Sequence, residues 1–201
     1  MLESKHEMLE KRATCIILAG GRGKRMGGRN KALIPFKNIT LIENAIQAIK
    51  PQVDEIIISA NRDFLYLNKL GFPVIEDQIS NQGPLLGIVS AAAHVKTRNV
   101  VVTPCDVINI PKNYVQELIF ALETTQSDIA IAKTNDRAQH LNCAFKVEIV
   151  HALKRTIAQG TLKVSDWQSK LKTSYVEFDG DPNHTLKNIN EPRDFSDVYI
   201  G

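Results

Sequence analysis

Thr14–Phe36 reads TCIILAGGRGKRMGGRNKALIPF: a short apolar run (Cys15, Ile16, Ile17, Leu18) passes directly into a loop with five glycines and five cations between Ala19 and Lys31. An apolar run of that length closed by glycine predicts a buried parallel strand, and in an open α/β sheet ligands bind just beyond the carboxyl ends of the strands. Glycines let the main chain take positive φ and come close to a ligand, so that successive backbone N–H groups can converge on an anion. Arg22, Lys24, Arg25, Arg29 and Lys31 add positive charge around that concavity. The ligand this implies is polyanionic, most simply a nucleoside triphosphate. The bland alternative is a connector rich in solvated charge. It leaves unexplained why five glycines, with their chain-entropy cost, directly follow a buried strand.

Two familiar phosphate loops do not fit. A P-loop requires Gly-x-x-x-x-Gly-Lys and then Ser or Thr, whereas Gly23 to Gly28 is followed by Arg29 and Asn30. A dinucleotide fingerprint requires Gly-x-Gly-x-x-Gly, and Gly21-Arg22-Gly23 meets Met26 at the last position. The second strand ends in Ser59-Ala60-Asn61 rather than in the acidic residue that would hold a ribose.

The chain has 201 residues and 43% hydrophobic content, enough for one sizeable core. The expected organisation is a polar extension over residues 1–12, frayed or partly helical, and one domain over residues 13–201. Net charge is +3, with the basic excess concentrated in one loop, and aromatics make up 6%. That balance favours a local anion site over a broad nucleic-acid face. No apolar stretch approaches a membrane span, and MLESKHEMLEKRA lacks the apolar core of a secretory signal. Cys15, Cys105 and Cys143 are too few and scattered for a disulfide framework or a C-x-x-C metal site, which fits a reducing cytoplasm and packing roles.

Along the chain, strand and helix signals alternate, predicting a single-domain α/β fold with a Rossmann-like, doubly wound, mainly parallel sheet. Thr40-Leu41-Ile42-Glu43 has capping-box spacing and opens a helix to about Lys50-Pro51. Ile56–Ile58 and Pro73–Ile75 read as strands. Gly83-Pro84-Leu85-Leu86-Gly87 opens an Ala-rich helix to about His94, with Pro84 at its start. Val100–Thr103 is a continuous apolar strand, followed by Pro104-Cys105-Asp106. A carboxylate at the end of a central strand, facing a basic loop, is placed to hold magnesium against phosphate oxygens, so Asp106 is the candidate metal ligand. Its alternative is an N-cap for a helix from Pro111 to Glu123. Asp128–Ala132 is a further strand, Asn135–His140 a polar turn, and Leu141–Phe145 another strand. Val147–Ile157 reads as a helix closed by Gly160, Val164–Leu171 as a short helix with Trp167 packed, and Tyr175–Phe178 as a strand.

Leu18-Ala19-Gly20-Gly21, Arg25-Met26-Gly27-Gly28 and Lys31 resemble the signature of the nucleotidyltransferases that build the dinucleotide form of the molybdenum cofactor. The double glycine after Leu-Ala resembles the guanylyl branch, the molybdenum cofactor guanylyltransferases; cytidylyl relatives more often carry Leu-Ala-Ala-Gly. Asn188-Ile189-Asn190-Glu191-Pro192 resembles the Asn-x-Asn-x-Pro segment that ends the family, so the likeness covers nearly the whole chain after the first dozen residues.

The resemblance implies a nucleotide-diphospho-sugar-transferase type of fold and transfer of GMP from GTP to the terminal phosphate of molybdopterin, with release of pyrophosphate and magnesium as cofactor. It implies that the nucleotide is held by Leu18, Ala19, Gly20, Gly21 and Lys31, by Ser59 and Asn61, by Asp77 with Gly83, Pro84 and Gly87, and by Asp106. Ser59 and Asn61 are equally readable as a solvated turn, and Asp77 either accepts from ribose or base or caps a helix. Arg25, Lys31 and Asp106 would be the catalytic set, with Arg25 on the leaving pyrophosphate. The acceptor would meet Asn188 and Asn190, whose alternative is a helix-capping turn, and His140, whose alternative is a loop or core histidine. Cofactor-handling proteins or molybdoenzymes would be the protein partners, with no nucleic acid and no membrane. Two residues depart from the family pattern: Asn30 stands where Asp is usual before the loop lysine, and Ser59 where Asn is frequent. The competing functions are cytidylyl transfer to molybdopterin, nucleotidyl transfer to a sugar or polyol phosphate, and a non-enzymatic nucleotide- or RNA-binding module.

Overall fold

In the computed structural model, which describes residues 13–20, 30–77, 83–178, 185–190 and 194, the apolar run becomes β1 (Ala13–Leu18), buried at every position. It pairs in parallel with β4 (Glu55–Ser59) on one side and β6 (Asn99–Pro104) on the other. With β5 (Val74–Ile75), β8 (Ile129–Thr134), β9 (Arg137–Lys146) and β10 (Thr173–Glu177), they form a seven-stranded sheet in the order β10-β8-β9-β6-β1-β4-β5. Only β9 runs antiparallel to its neighbours, so the expected mainly parallel, doubly wound α/β sheet is observed.

Both faces of β1 are covered, so its side chains alternate between two cores instead of between core and solvent. Ala13, Cys15, Ile17 and Ala19 join the core under α1 (Leu41–Ile49) and α4 (Tyr114–Thr125), with Ile42, Ala45, Leu118 and Leu122. Ile16 and Leu18 join the opposite core, under α3 (Pro84–Ala92), α5 (Ile149–Ala158) and α6 (Val164–Gln168). There Trp167 is 1% exposed and meets Phe145 edge-on, with ring centroids 5.9 Å apart.

The chain runs outward from β1 to β4 and β5, then returns with β6 to the other side of β1. That reversal of strand order is the topological switch at which an open α/β sheet leaves a ligand crevice beyond its carboxyl ends. The capping box of α1 forms in both directions: Glu43 N–H donates to Thr40 Oγ1 at 3.4 Å, and Thr40 N–H donates to Glu43 Oε2 at 2.8 Å.

Several boundaries differ from the sequence reading. Residues 111–113 form a turn, closed by Tyr114 N–H on the Pro111 carbonyl, so α4 starts three residues late and Asn113 takes the N-cap position that Asp106 could have filled. The polar turn contracts to Asn135 and Asp136, both left-handed at φ 49° and 59°, as a two-residue hairpin with the sheet's twist requires. Residues 137–140 therefore extend β9 instead of forming a loop. The short helix α2 (Phe64–Leu67), a hairpin of β2 (Pro35–Phe36) with β3 (Ile39–Thr40), and an antiparallel ribbon of β7 (Val107–Ile108) with β11 (Lys187–Asn188) carried no sequence signal long enough to read. Among the described residues, no helix is long and apolar enough to cross a membrane.

Candidate active site

The carboxyl edge of the sheet gathers two polar clusters, one on each side of β1. Leu18 is in register with Ser59 of β4 on one flank and with Pro104 of β6 on the other. At the strand spacing of about 4.8 Å, the ends of β4 and β6 stand about 10 Å apart across β1.

The first cluster lies beyond β4 and β5. Ser59 Oγ donates to Asp77 Oδ1 at 3.1 Å, Asn61 Nδ2 donates to Asp77 Oδ2 at 2.8 Å, and Asp77 N–H donates back to Asn61 Oδ1 at 3.0 Å. Asn61 thus grips Asp77 through both backbone and side chain. Helix α3 closes over this cluster at Gly87, where a Cβ would lie 2.5 Å from Ser59 Oγ and 3.0 Å from Asp77 Oδ1. The approach is set by Gly83, whose φ of 100° and ψ of 174° place it in a region essentially reserved for glycine, immediately before Pro84 at the helix start. Gly20 borders the same cluster, its Cβ position 3.6 Å from Asn61 Nδ2, and Ala19 N–H donates to the Ser59 carbonyl.

The second cluster lies beyond β6. Lys31 pairs with Asp106 through Oδ2 and also donates to Asn190 Oδ1 at 2.9 Å. Three distant segments meet here because of a small apolar cluster of Phe36, Leu41, Ile108 and Ile189. Phe36 follows the 3₁₀ turn that bears Lys31, Ile108 lies just after Asp106, and Ile189 precedes Asn190. Ile189 N–H donates to the Asp106 carbonyl at 2.9 Å, fixing the last two segments together.

Asp106 Oδ1 is buried and has no hydrogen-bond partner among the described residues. A buried carboxylate oxygen without a donor is costly, and an ion, a water or a ligand is the kind of partner that would satisfy it. A hard divalent cation suits it, because magnesium takes one or two carboxylates and completes its shell with water and phosphate oxygens. Among the described residues, no group of three or more His, Cys, Asp or Glu side chains could hold a metal, so the donor set fits a phosphate-assisted ion and not an all-protein cage.

The remaining candidates lie farther along the edge. Asn188 Nδ2 donates to Gln139 Oε1 of β9 at 3.4 Å. His140, the next residue, is exposed; its Nδ1 lies 2.6 Å from Gln168 Oε1, and Gln168 Nε2 donates to the His140 carbonyl. Asn188 and Asn190, two residues apart, therefore have different partners. Arg25 and Gly21, the rest of the basic loop through Arg29, the segment 1–12 and Glu191-Pro192 lie outside the described residues. The cysteines are unpaired and buried. Burial pushes the Cys15 and Cys105 thiols well up and that of Cys143 up to about 12, so none is a thiolate nucleophile near neutral pH.

Gly20 at the end of β1, a lysine paired with a carboxylate, and a second carboxylate packed on Gly87 of α3 thus line the carboxyl edge of the sheet. The MobA-like NTP transferase domain model matches residues 15–172. The chain belongs to that family. The molybdenum cofactor guanylyltransferase of Shewanella piezotolerans is 34% identical over 178 residues, 88% of this chain and 87% of the relative. The protein of the same name from Shewanella pealeana is 35% identical over 88% of each chain. Among solved structures, the molybdopterin-guanine dinucleotide biosynthesis protein A of Archaeoglobus fulgidus superposes with a TM-score of 0.73 at 24% identity, covering 91% of this chain and 95% of its own, a likeness of fold. In this MobA-like chain, both clusters fall within or beside the matched span, and Asn188 and Asn190 follow it.

One contact had no sequence reading: Asn30 Nδ2 donates to Asp63 Oδ2 at 2.7 Å. Asn30 stood out only as a departure from the family pattern, and Asp63 not at all.

Proposed function

We propose that the chain transfers GMP from GTP to the terminal phosphate of molybdopterin, forming the guanine dinucleotide and releasing pyrophosphate. The observation that carries this reading is the pair of clusters across β1: Lys31 and the donor-less Asp106 Oδ1 on one flank, and Asp77 held by Ser59 and Asn61 on the other. A distance of about 10 Å between strand ends suits a nucleotide lying over β1, nucleoside towards Asp77 and phosphates towards Lys31. An ionised carboxylate only accepts hydrogen bonds, which suits ribose hydroxyls or base N–H groups. The names of the relatives, 33–35% identical, support guanine as the base.

The terminal phosphate of the acceptor is largely ionised at neutral pH, so it attacks the α-phosphorus without a general base. One P–O bond forms, the bond between the α- and β-phosphates breaks, and pyrophosphate leaves with the electron pair. Such chemistry is mostly alignment and charge neutralisation. Lys31 supplies positive charge to the phosphates and the main chain at Leu18, Ala19 and Gly20 lines the triphosphate; Arg25 and Gly21, outside the described residues, are assigned to the leaving pyrophosphate and the triphosphate by the family signature alone. Asp106 would hold magnesium through Oδ1, and the ion when bound neutralises charge on the triphosphate oxygens. Asn190, beside Lys31, Asn188 of β11 and His140 of β9 offer polar groups to the acceptor. Three unpaired, buried cysteines suit a reducing compartment.

The test is product analysis. Protein, magnesium, molybdopterin and α-labelled GTP should yield a labelled guanine dinucleotide, with CTP a poor substitute. Asp106→Ala should lower the rate by about 10²–10³-fold while the protein stays folded, in line with the loss of one electrostatic element of a transition state. A cytosine dinucleotide formed as readily, or full activity in Asp106→Ala, would refute the reading.

A further inference from the structure

We infer that Asn30 and Asp63 form a brace that sets the position of Lys31 relative to the Ser59, Asn61 and Asp77 cluster, which makes both positioning residues for the transfer. The inference rests on the proposed function. Asn30 is 8% exposed and directly precedes Lys31. Its side chain is used twice. Oδ1 accepts from Ala32 N–H at 3.1 Å, capping the 3₁₀ turn Lys31–Leu33, and Nδ2 donates to Asp63 Oδ2 at 2.7 Å. The Asn30 carbonyl also accepts from Leu33 N–H at 3.1 Å. The turn bearing Lys31 is therefore built on Asn30, and Asn30 is in turn anchored to Asp63.

The backbone of Asp63 is fixed in its own right. It adopts left-handed φ 60°, ψ 30°, and its carbonyl accepts from Tyr66 and Leu67 N–H at the start of α2. It stands two residues after Asn61, which grips Asp77. The brace thus joins the lysine flank of the crevice to the flank we assign to the nucleoside, between residues 33 positions apart in sequence. Its chemistry sets a condition on residue 30: the side chain facing the Asp63 carboxylate must donate. An aspartate at position 30 could still cap the turn, since capping uses an acceptor oxygen, but it would set two carboxylates against each other. Asparagine at position 30 and aspartate at position 63 therefore work as a matched pair in this chain.

Four proteins test the brace: wild type, Asn30→Asp, Asp63→Asn and the double exchange N30D/D63N. Each is assayed for GTP affinity, for the kcat and KM of guanylyl transfer, and for thermal midpoint. Asn30→Asp should lose about 10–100-fold in kcat/KM, most of it in kcat, as expected when a charged group moves by about an ångström. Asp63→Asn keeps an acceptor and should lose less than Asn30→Asp. The double exchange restores one donor facing one carboxylate, with the amide now at position 63 and the acceptor at position 30. It should recover kcat to within about threefold of wild type, whereas a merely structural role predicts loss and recovery in thermal midpoint with the kcat of the folded protein unchanged. If Asn30→Asp does not fold, Asp63→Ala, altered at an exposed residue, should show the same loss in kcat. Wild-type kcat in Asn30→Asp or Asp63→Ala, or a double exchange no better than Asn30→Asp, overturns the brace and leaves the proposed function standing. A wild-type protein that neither binds GTP nor forms product overturns both.

Discussion

Gly87 concentrates much of the chemistry of the crevice into one missing methyl. A Cβ there would stand 2.5 Å from Ser59 Oγ, closer than real Cβ atoms come to a neighbour, and 3.0 Å from Asp77 Oδ1. Ser59 is 2% exposed and its hydroxyl is committed to Asp77, so it can yield only by giving up that bond. Gly87→Ala should therefore weaken GTP binding about tenfold, the equivalent of one hydrogen bond to a charged group, and destabilise the fold by about 1–3 kcal/mol through overpacking. Titration calorimetry with GTP reads the first effect and urea unfolding the second. Unchanged affinity would mean that Asp77 does not face the nucleotide. Asp106 poses the opposite case, a carboxylate oxygen with too few neighbours instead of too many, and its burial without a donor leaves room for a cation in its electrostatics.

The first helix is where local sequence and observed structure agree most fully. Thr40 and Glu43 exchange their capping bonds, and the Thr40 hydroxyl also donates to Glu43 Oε2 at 2.7 Å. The side-chain and then the backbone hydrogen bond from Thr40 hold the Glu43 carboxyl below the usual carboxylate range. A carboxyl whose pKa is lowered by folding adds stability that is present above its unfolded value, about 4.3, and is lost as pH falls through the lower folded one. Thr40→Ala should accordingly cost about 1 kcal/mol at pH 7, with the gap to wild type narrowing below about pH 4. Urea unfolding at the two pH values measures it, and a gap independent of pH would count against the assigned pairing. This element was legible because a capping box is written within four residues. The β1, β4 and β6 strands were legible because runs such as Ile56–Ile58 and Val100–Val102 are apolar on both faces. The start of β9 was not, since Asn135 and Asp136 turn the chain without glycine and the strand beyond them is polar.

At the scale of the whole molecule, the sheet order decides what can be one site. Because β1 lies between β4 and β6, its carboxyl end stands between the Asp77 cluster beyond β4 and Asp106 beyond β6. The separate pieces were readable: a glycine loop after a buried strand, a carboxylate after Val100–Thr103, an Asn-x-Asn segment near the end. Their convergence was not, because Lys31 and Asn190 meet across 159 positions of sequence through an apolar cluster of four residues, two of them in two-residue strands that have no periodicity to detect. The Asn30–Asp63 contact escaped for the same reason. In the proposed reaction the two flanks hold one nucleotide. A crystal structure with GTP and manganese in place of magnesium tests it most directly. An anomalous manganese peak is expected about 2.1 Å from Asp106 Oδ1, in contact with phosphate oxygens of a GTP whose nucleoside meets Asp77. Manganese away from Asp106, or a guanosine bound in a cavity that does not include Asp77, would contradict it.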